Sequence, residues 1–233
     1  MDILSLEKEI GDNPNNYNAY YQAGDFYNEK GNIDLAIKYY QEAVSINDKF
    51  LDASFKLGLL YSETGKYEDA LNCYKKVLEF EVNYYDIYPE IAYVYEVTED
   101  FELAIKYYKK ILEFSPKNAD IFYRLAVVYE KKQEYKNSIE FYEKLLEIEE
   151  ENAEIYYTVA ILHSKTGDFK QELEYYNKAI KANPLFEDAY YEIGLIHEEN
   201  KNYELAIKFY KKVIEINPKH EEAIRDLEFL LKG

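Results

Sequence analysis

The chain has 233 residues, of which 48% are hydrophobic, and its 46 acidic against 28 basic side chains give a formal net charge of −18. This charge argues against nucleic acid or an anionic membrane as the main partner and favours a basic one. Cys73 is the single cysteine, so no intramolecular disulfide can form. No apolar run reaches membrane-spanning length, and residues 1–13 lack a secretion signal. We therefore expect a cytoplasmic chain, unless it is a fragment of a larger protein.

The first predicted element is a single amphipathic helix over residues 2–11, followed by Asn13-Pro14. A 34-residue register then runs to the end of the chain without insertion or deletion. Its repeats begin at Tyr17, Leu51, Tyr85, Ala119, Ala153, Glu187 and Glu221. A period of this length predicts stacked repeats, each burying its apolar face against its neighbours. The last repeat is a first helix alone, over residues 221–232.

Each repeat contains two helical patterns, and its positions are numbered here as columns 1 to 34. In the sixth repeat the patterns cover residues 187–200 and 203–216. Gly31, Gly65 and Gly167 suit the left-handed turn between them. Glu99, Gln133 and Lys201 stand there in other repeats, so we expect those turns to be slightly costlier or differently shaped. Column 8 is always small, and column 24 is tyrosine throughout: Tyr40, Tyr74, Tyr108, Tyr142, Tyr176 and Tyr210.

These columns resemble the tetratricopeptide repeat, and the sixth repeat matches that pattern at Tyr190, Ile193, Gly194, Ala206, Tyr210, Val213 and Pro218. The resemblance implies an all-α fold, a right-handed superhelical α-solenoid of tandem antiparallel helix pairs, with first helices lining its concave surface. It divides the chain into an N-terminal half-repeat (1–16), six repeats (17–50, 51–84, 85–118, 119–152, 153–186 and 187–220) and a C-terminal capping helix (221–233). Four positions depart from the pattern: Ser54 at column 4, Glu172 at column 20, and His163 and His197 at column 11.

No catalytic constellation is visible, since the chain has no Gly-rich phosphate loop, nucleophile elbow or Cys/His metal-ligand spacing. His163 and His197 lie one repeat apart, a poor geometry for sharing a metal ion, and we interpret them as packed replacements for tyrosine. We expect a non-enzyme with no cofactor and no metal.

The expected binding site is the concave groove, because stacked repeats create an extended concave surface. Column 2 forms an acidic ladder of Asp52, Asp86, Asp120, Glu154 and Asp188. Column 5 is an aromatic stripe broken once by proline: Tyr21, Phe55, Pro89, Tyr123, Tyr157 and Tyr191. Column 9 is mostly apolar, with Leu59, Tyr93, Val127, Ile161 and Leu195. Columns 12 and 13 add Glu29, Glu63, Glu96, Glu130, Glu198 and Glu199.

These stripes predict a protein-interaction scaffold that binds a basic, partly apolar peptide segment or partner protein. The acidic ladder has a second explanation, because carboxylates in a first helical turn are favoured by the helix macrodipole alone. In the family that this chain resembles, repeats that clamp a C-terminal carboxylate have lysine at column 5 and asparagine at column 9. This chain has neither, so such a site is disfavoured. The alternatives are a self-assembling homo-oligomer joined through open terminal helices, and the recognition region of a larger enzyme or sensor.

One irregularity lies between the second and third repeats, where Val82 replaces the usual proline and Pro89 falls inside the next helix. Proline is tolerated in a first helical turn, so we expect this helix to start late, around residues 87–88. The alternative is a mild hinge at this point.

Overall fold

The computed structural model describes residues 2–81 and 85–232, and within them it contains fourteen α-helices and no strand. The chain divides into two compact units, Met1–Pro116 and Lys117–Gly233, called here the N-terminal and C-terminal units. The prediction of an all-α chain of tandem helix pairs is confirmed.

The N-terminal unit holds a leading helix and three helix pairs. Its helices are α1 (Ile3–Asp12), α2 (Tyr17–Glu29), α3 (Ile33–Ile46), α4 (Leu51–Glu63), α5 (Tyr67–Phe80), α6 (Ile87–Val97) and α7 (Phe101–Phe114). The two helices of a pair are joined by a short turn and run antiparallel, and within the unit each pair packs on the next in chain order.

The C-terminal unit holds three helix pairs and a closing helix. Its helices are α8 (Ala119–Lys131), α9 (Tyr135–Leu146), α10 (Ala153–Thr166), α11 (Phe169–Ala182), α12 (Glu187–Glu199), α13 (Tyr203–Ile216) and α14 (Glu221–Lys232). The pairs pack in chain order, and α14 packs on α13.

The turns within pairs share one backbone conformation whichever residue occupies them. Gly31, Gly65 and Gly167 have φ between 71° and 77°. Glu99, Gln133 and Lys201 have φ between 59° and 61° at the equivalent position. Non-glycine residues pay a steric penalty in this left-handed region. The left-handed turn expected at the glycines is therefore confirmed, and the three non-glycine turns have the same shape rather than a different one.

The core of each pair is the column 24 tyrosine set against the small residue at column 8. Tyr40, Tyr74 and Tyr210 are fully buried, and a Cβ added to the facing Gly24, Gly58 or Gly194 would lie 2.5 Å from a ring carbon. The ring occupies the space that a larger column 8 residue would need. The residue types at columns 8 and 24 therefore determine how closely the paired helices approach each other.

Helix α6 begins at Ile87, which places Pro89 in its first turn. This confirms the predicted late start, and Pro89 interrupts no backbone hydrogen bond there. Val82 lies outside the described residues. The division between the two compact units falls after Pro116.

Candidate functional site

The side chains of columns 2, 5 and 9 in the first helices define what is called here the first-helix surface. The five column 2 carboxylates are exposed, and no column 5 or column 9 site residue belongs to the buried core. Asp52, Asp120, Glu154 and Asp188 lie in the first turns of their helices, and Asp86 is the N-cap of α6. All sixteen predicted site residues thus reach solvent, and the ladder also satisfies the macrodipole explanation.

The column 5 tyrosine of the first repeat is covered on two sides by the chain itself. The ring of Phe50, at column 34, packs edge-on against the Tyr21 ring, and the two ring centroids lie 4.9 Å apart. The ammonium of Lys56, at column 6 of the following helix, lies 4.8 Å from the Tyr21 ring centroid. Asp25 fixes that ammonium through a 2.5 Å ion pair. A tyrosine in this column therefore binds both an aromatic edge and a cation.

The fifth and sixth repeats cover their column 5 tyrosines in a related way. Phe186 and His220 pack on Tyr157 and Tyr191 at centroid distances of 5.1 and 4.9 Å. The Tyr191 hydroxyl donates to Asp226 at 2.8 Å, and the Tyr157 hydroxyl lies 3.5 Å from a carboxylate oxygen of Glu192. Burial and the nearby Glu192 carboxylate raise the pKa of Tyr157 to about 12.

Tyr123, in the fourth repeat, has neither kind of cover. Column 34 is Asn152 here, column 6 of the next helix is Thr158, and the Tyr123 side chain is 50% exposed. Within the described part of the chain, its ring contacts the Tyr142 ring at 6.2 Å and its hydroxyl has no hydrogen-bond partner. Sequence reasoning missed Asn152 and Thr158, although the loss of an aromatic at column 34 was a visible signal.

Several carboxylates assigned to the groove from sequence have structural partners instead. Glu96 and Glu198 accept hydrogen bonds from the buried Tyr108 and Tyr210 hydroxyls at 2.7 and 2.6 Å. Glu130 faces Lys165 at 3.5 Å. Asp25 likewise accepts from Tyr40 at 2.5 Å. Because a buried hydroxyl needs a partner, these acidic side chains stabilise the helix pair and contribute less free charge than the sequence suggested.

The two histidines at column 11 stack on aromatic rings of their partner helices. His163 lies 5.3 Å from Tyr175 and His197 lies 5.5 Å from Phe209. Tyr27 stacks on Tyr39 at 5.3 Å in the equivalent place. Burial lowers the pKa of His163, which keeps its ring neutral. The prediction that they replace the usual tyrosine in packing is confirmed.

A second acidic group lies between the fifth and sixth repeats. Glu172 replaces a small residue at column 20 and is only 6% exposed, so burial raises its pKa. Burial also raises the pKa of Glu192, and the negative charges of Glu172, Asp188 and Glu199 add to that rise. With these side chains around it, a pocket of about 440 Å³ opens between α10, α11 and α12.

Across residues 2–81 and 85–232, no three His, Cys, Asp or Glu side chains are grouped so that they could hold a metal ion. None of the helices in that part of the chain is both long and apolar enough to cross a membrane.

Sequence profiles of the tetratricopeptide repeat match the chain along most of its length. One profile matches residues 15–80 and 117–184, which together exceed half of the chain. The chain belongs to the tetratricopeptide-repeat family. Two further profiles of this repeat match residues 55–119 and 187–220 of the tetratricopeptide-repeat chain. A search of curated proteins gave no significant match.

Solved structures of other tetratricopeptide-repeat proteins share the fold. The C-terminal part of a repeat-containing protein from Cytophaga hutchinsonii is 21% identical, with 97% of this chain and 93% of that chain covered and a TM-score of 0.79. YrrB, described as having an unusual peptide-binding site, is 24% identical, with 81% and 97% covered and a TM-score of 0.61. MamA is 23% identical, with 72% and 92% covered and a TM-score of 0.64. At these identities the likeness concerns the fold.

Proposed function

We propose that this tetratricopeptide-repeat chain is a non-catalytic interaction scaffold that binds a basic, partly apolar peptide segment of a partner protein on its first-helix surface. The observation that carries the proposal is the pairing, in the second to sixth repeats, of an exposed column 2 carboxylate with solvent-accessible aromatic or aliphatic side chains in columns 5 and 9. Tyrosines held by a rigid scaffold supply contact area at a low cost in conformational entropy.

The charge of the chain supports a basic partner. The net charge of −18 raises the local concentration of cationic segments. Lys56 is already held by Asp25, and Arg124 faces Asp120 at 3.2 Å, so these column 6 cations leave the surface acidic. The description of YrrB, a protein of the same fold, as having a peptide-binding site supports peptide binding by this chain. A cytoplasmic location is part of the same proposal.

The test is to pan the immobilised chain against a random peptide display library at two ionic strengths. At about 0.01 M the Debye length is about 30 Å, and at about 0.15 M it is about 8 Å, so an electrostatic contribution weakens visibly between them. We expect motifs that place lysine or arginine beside an apolar residue. Enrichment of acidic or free-carboxylate motifs, or equal affinity at both ionic strengths, would contradict the basic-partner assignment.

A matched pair of variants locates the binding surface. Tyr93 and Tyr203 are both exposed tyrosines, but Tyr93 lies on a first helix and Tyr203 on a second helix. Tyr93→Ala should weaken a peptide bound along the N-terminal unit, and Tyr203→Ala should leave its affinity unchanged. The reverse result would place binding on the second helices.

Self-assembly is a second candidate, favoured by one observation at the end of the C-terminal unit. Phe229 and Leu231 on α14 are 72% and 61% exposed, beside the exposed Tyr203. Apolar side chains of this size are usual at protein interfaces. Sedimentation velocity over a wide range of protein concentration tests this candidate. A constant monomer mass would reject it, whereas association abolished by Phe229→Glu would support it.

A further inference from the structure

The exposed Tyr123 side chain lines a pocket in a repeat where column 34 is the polar Asn152. The pocket has a volume of about 420 Å³ and lies within the C-terminal unit, between the beginnings of α8 and α10 and the end of α9. Asn152 and Thr158 line it at the places where Phe50 and Lys56 stand beside Tyr21 in the first repeat. Asn152 and Thr158 leave Tyr123 without the ring and the lysine that cover Tyr21, and α9 ends at Leu146, before a connection in which Glu151 has a φ of 66°.

The walls of the pocket are acidic. Glu149 and Glu154 line it, and neither forms an ion pair with a described residue; Glu149 accepts one hydrogen bond, from the Asn152 amide at 3.2 Å. Asp120 also lines the pocket, but Arg124 partly neutralises it. The nearby helix N-termini carry partial positive charge, which the first-turn carboxylates offset. The remaining charge in the pocket is negative and available to a cation.

A tyrosine of the buried core also lines the pocket. Tyr142 is 4% exposed and lines the pocket, yet its hydroxyl forms no hydrogen bond. In the repeats of Tyr40, Tyr108 and Tyr210 the same hydroxyl donates to a carboxylate. The Tyr142 hydroxyl is therefore available for a hydrogen bond with a group from outside the chain.

We propose that this pocket, the Tyr123 pocket, binds a lysine side chain of a protein partner, with an adjacent aromatic residue of that partner packed on the Tyr123 ring. This inference rests on the proposed function, because it assigns one position of the bound peptide. The chain supplies the template: Tyr21 is flanked by the Lys56 ammonium and the Phe50 ring, and the partner provides both groups to Tyr123. Val127 replaces Asp25 at column 9, so Glu149 and Glu154 supply the carboxylates.

The probe is the peptide acetyl-Gly-Phe-Lys-Phe-Gly-amide, titrated into the ¹⁵N-labelled full chain and followed by amide chemical shifts. Shifts should concentrate around Tyr123, Asn152 and Thr158. The same peptide with norleucine in place of lysine should bind about five- to tenfold more weakly, the loss expected for a partly desolvated cation on an aromatic ring. Equal affinity of the two peptides would overturn the lysine assignment.

Two variants install the internal covers of the first repeat. Thr158→Lys places a lysine where Lys56 stands, and Asn152→Phe places a ring where Phe50 stands. Each should weaken the lysine peptide about tenfold or more, by filling the pocket from within. Asn177→Lys is the control, because it adds the same charge at an exposed site on α11. Its affinity should stay within about twofold of the wild type. Circular dichroism checks that each variant is folded.

The outcomes separate this inference from the proposed function. Peptide shifts that map to other first-helix tyrosines, unaffected by Asn152→Phe, would overturn the Tyr123 pocket and leave the scaffold proposal standing. Shifts confined to second helices, or no shifts at all, would overturn both. Asn152→Phe changes no charge and puts phenylalanine where Phe50 and Phe186 already occupy the N-cap, so it remains informative if Thr158→Lys fails to fold.

Discussion

Replacing Gly24 with alanine should destabilise the chain, although alanine is the better helix former. The added Cβ would lie 2.5 and 2.6 Å from two ring carbons of Tyr40, well inside ordinary contact at 3.4 Å. The ring cannot easily retreat, because it is fully buried and its hydroxyl is bonded to Asp25 at 2.5 Å. Overpacking of this kind costs about 1–3 kcal/mol. Helix propensity returns about 1 kcal/mol, which leaves a net loss of up to about 2 kcal/mol.

Gly11→Ala is the matched control in the same unit. A Cβ at this position on α1 meets nothing within 4 Å, so the substitution should stabilise by about 0.4–1 kcal/mol. Urea unfolding followed by circular dichroism measures both variants. A second comparison uses Tyr40→Leu, which removes the ring: Gly24→Ala should cost much less in that background. If Gly24→Ala proves as stable as the wild type, the proposed contact between column 8 and column 24 does not limit the packing.

Three further predictions concern single side chains. Glu172→Gln should stabilise the fold at neutral pH. The gain should shrink as the pH falls through the raised pKa of Glu172 towards its ordinary value of 4.5, because the folded and unfolded chains then both hold the proton. Urea unfolding midpoints measured across this pH range check the sign. At pH 8, Cys73 should be alkylated about 100-fold more slowly in the folded chain than in the urea-unfolded chain, since burial raises its thiol pKa from 9.0 to about 11 and lowers the thiolate fraction. Equal rates in the two states would show that the thiol is exposed. Tyr40→Phe should lower the unfolding free energy by about 1–2 kcal/mol, because it removes a hydrogen bond to the charged Asp25. Tyr142→Phe removes an unpaired hydroxyl and should change the unfolding free energy by less than about 0.5 kcal/mol. Similar losses in the two variants would contradict the hydrogen-bond assignment.

The sequence was sufficient to predict the secondary structure and its register. The predicted helices at 203–216 and 221–232 match α13 and α14 at both ends, and the late start of α6 follows from Pro89. The prediction succeeds because helix period, proline and turn residues act over a few positions. The three glycine turns follow from the same local rules, whereas the left-handed shape at Glu99, Gln133 and Lys201 was one of two outcomes that the sequence left open.

The candidate site was less predictable, because its partners are distant in sequence. Tyr191 and Asp226 are separated by 35 positions, and Lys56 and Asp25 by 31. The residue types in a column could not show that Glu96 accepts a hydrogen bond from a buried tyrosine while Glu154 does not. These outcomes depend on which side chains meet between adjacent helices, and that is set by rotamers and burial.

The residue at column 34 stands in the connection between repeats, outside the tyrosine core. A change at this position can therefore alter the binding surface without altering the core. Phe50, Asn152 and Phe186 all stand at the N-cap of a first helix. Asn152 also caps its helix by accepting from the Ile155 amide at 3.2 Å, so its replacement by phenylalanine would alter the pocket at a cost of about 1 kcal/mol in stability. A lineage of such chains can acquire new ligand preferences repeat by repeat while its scaffold stays the same.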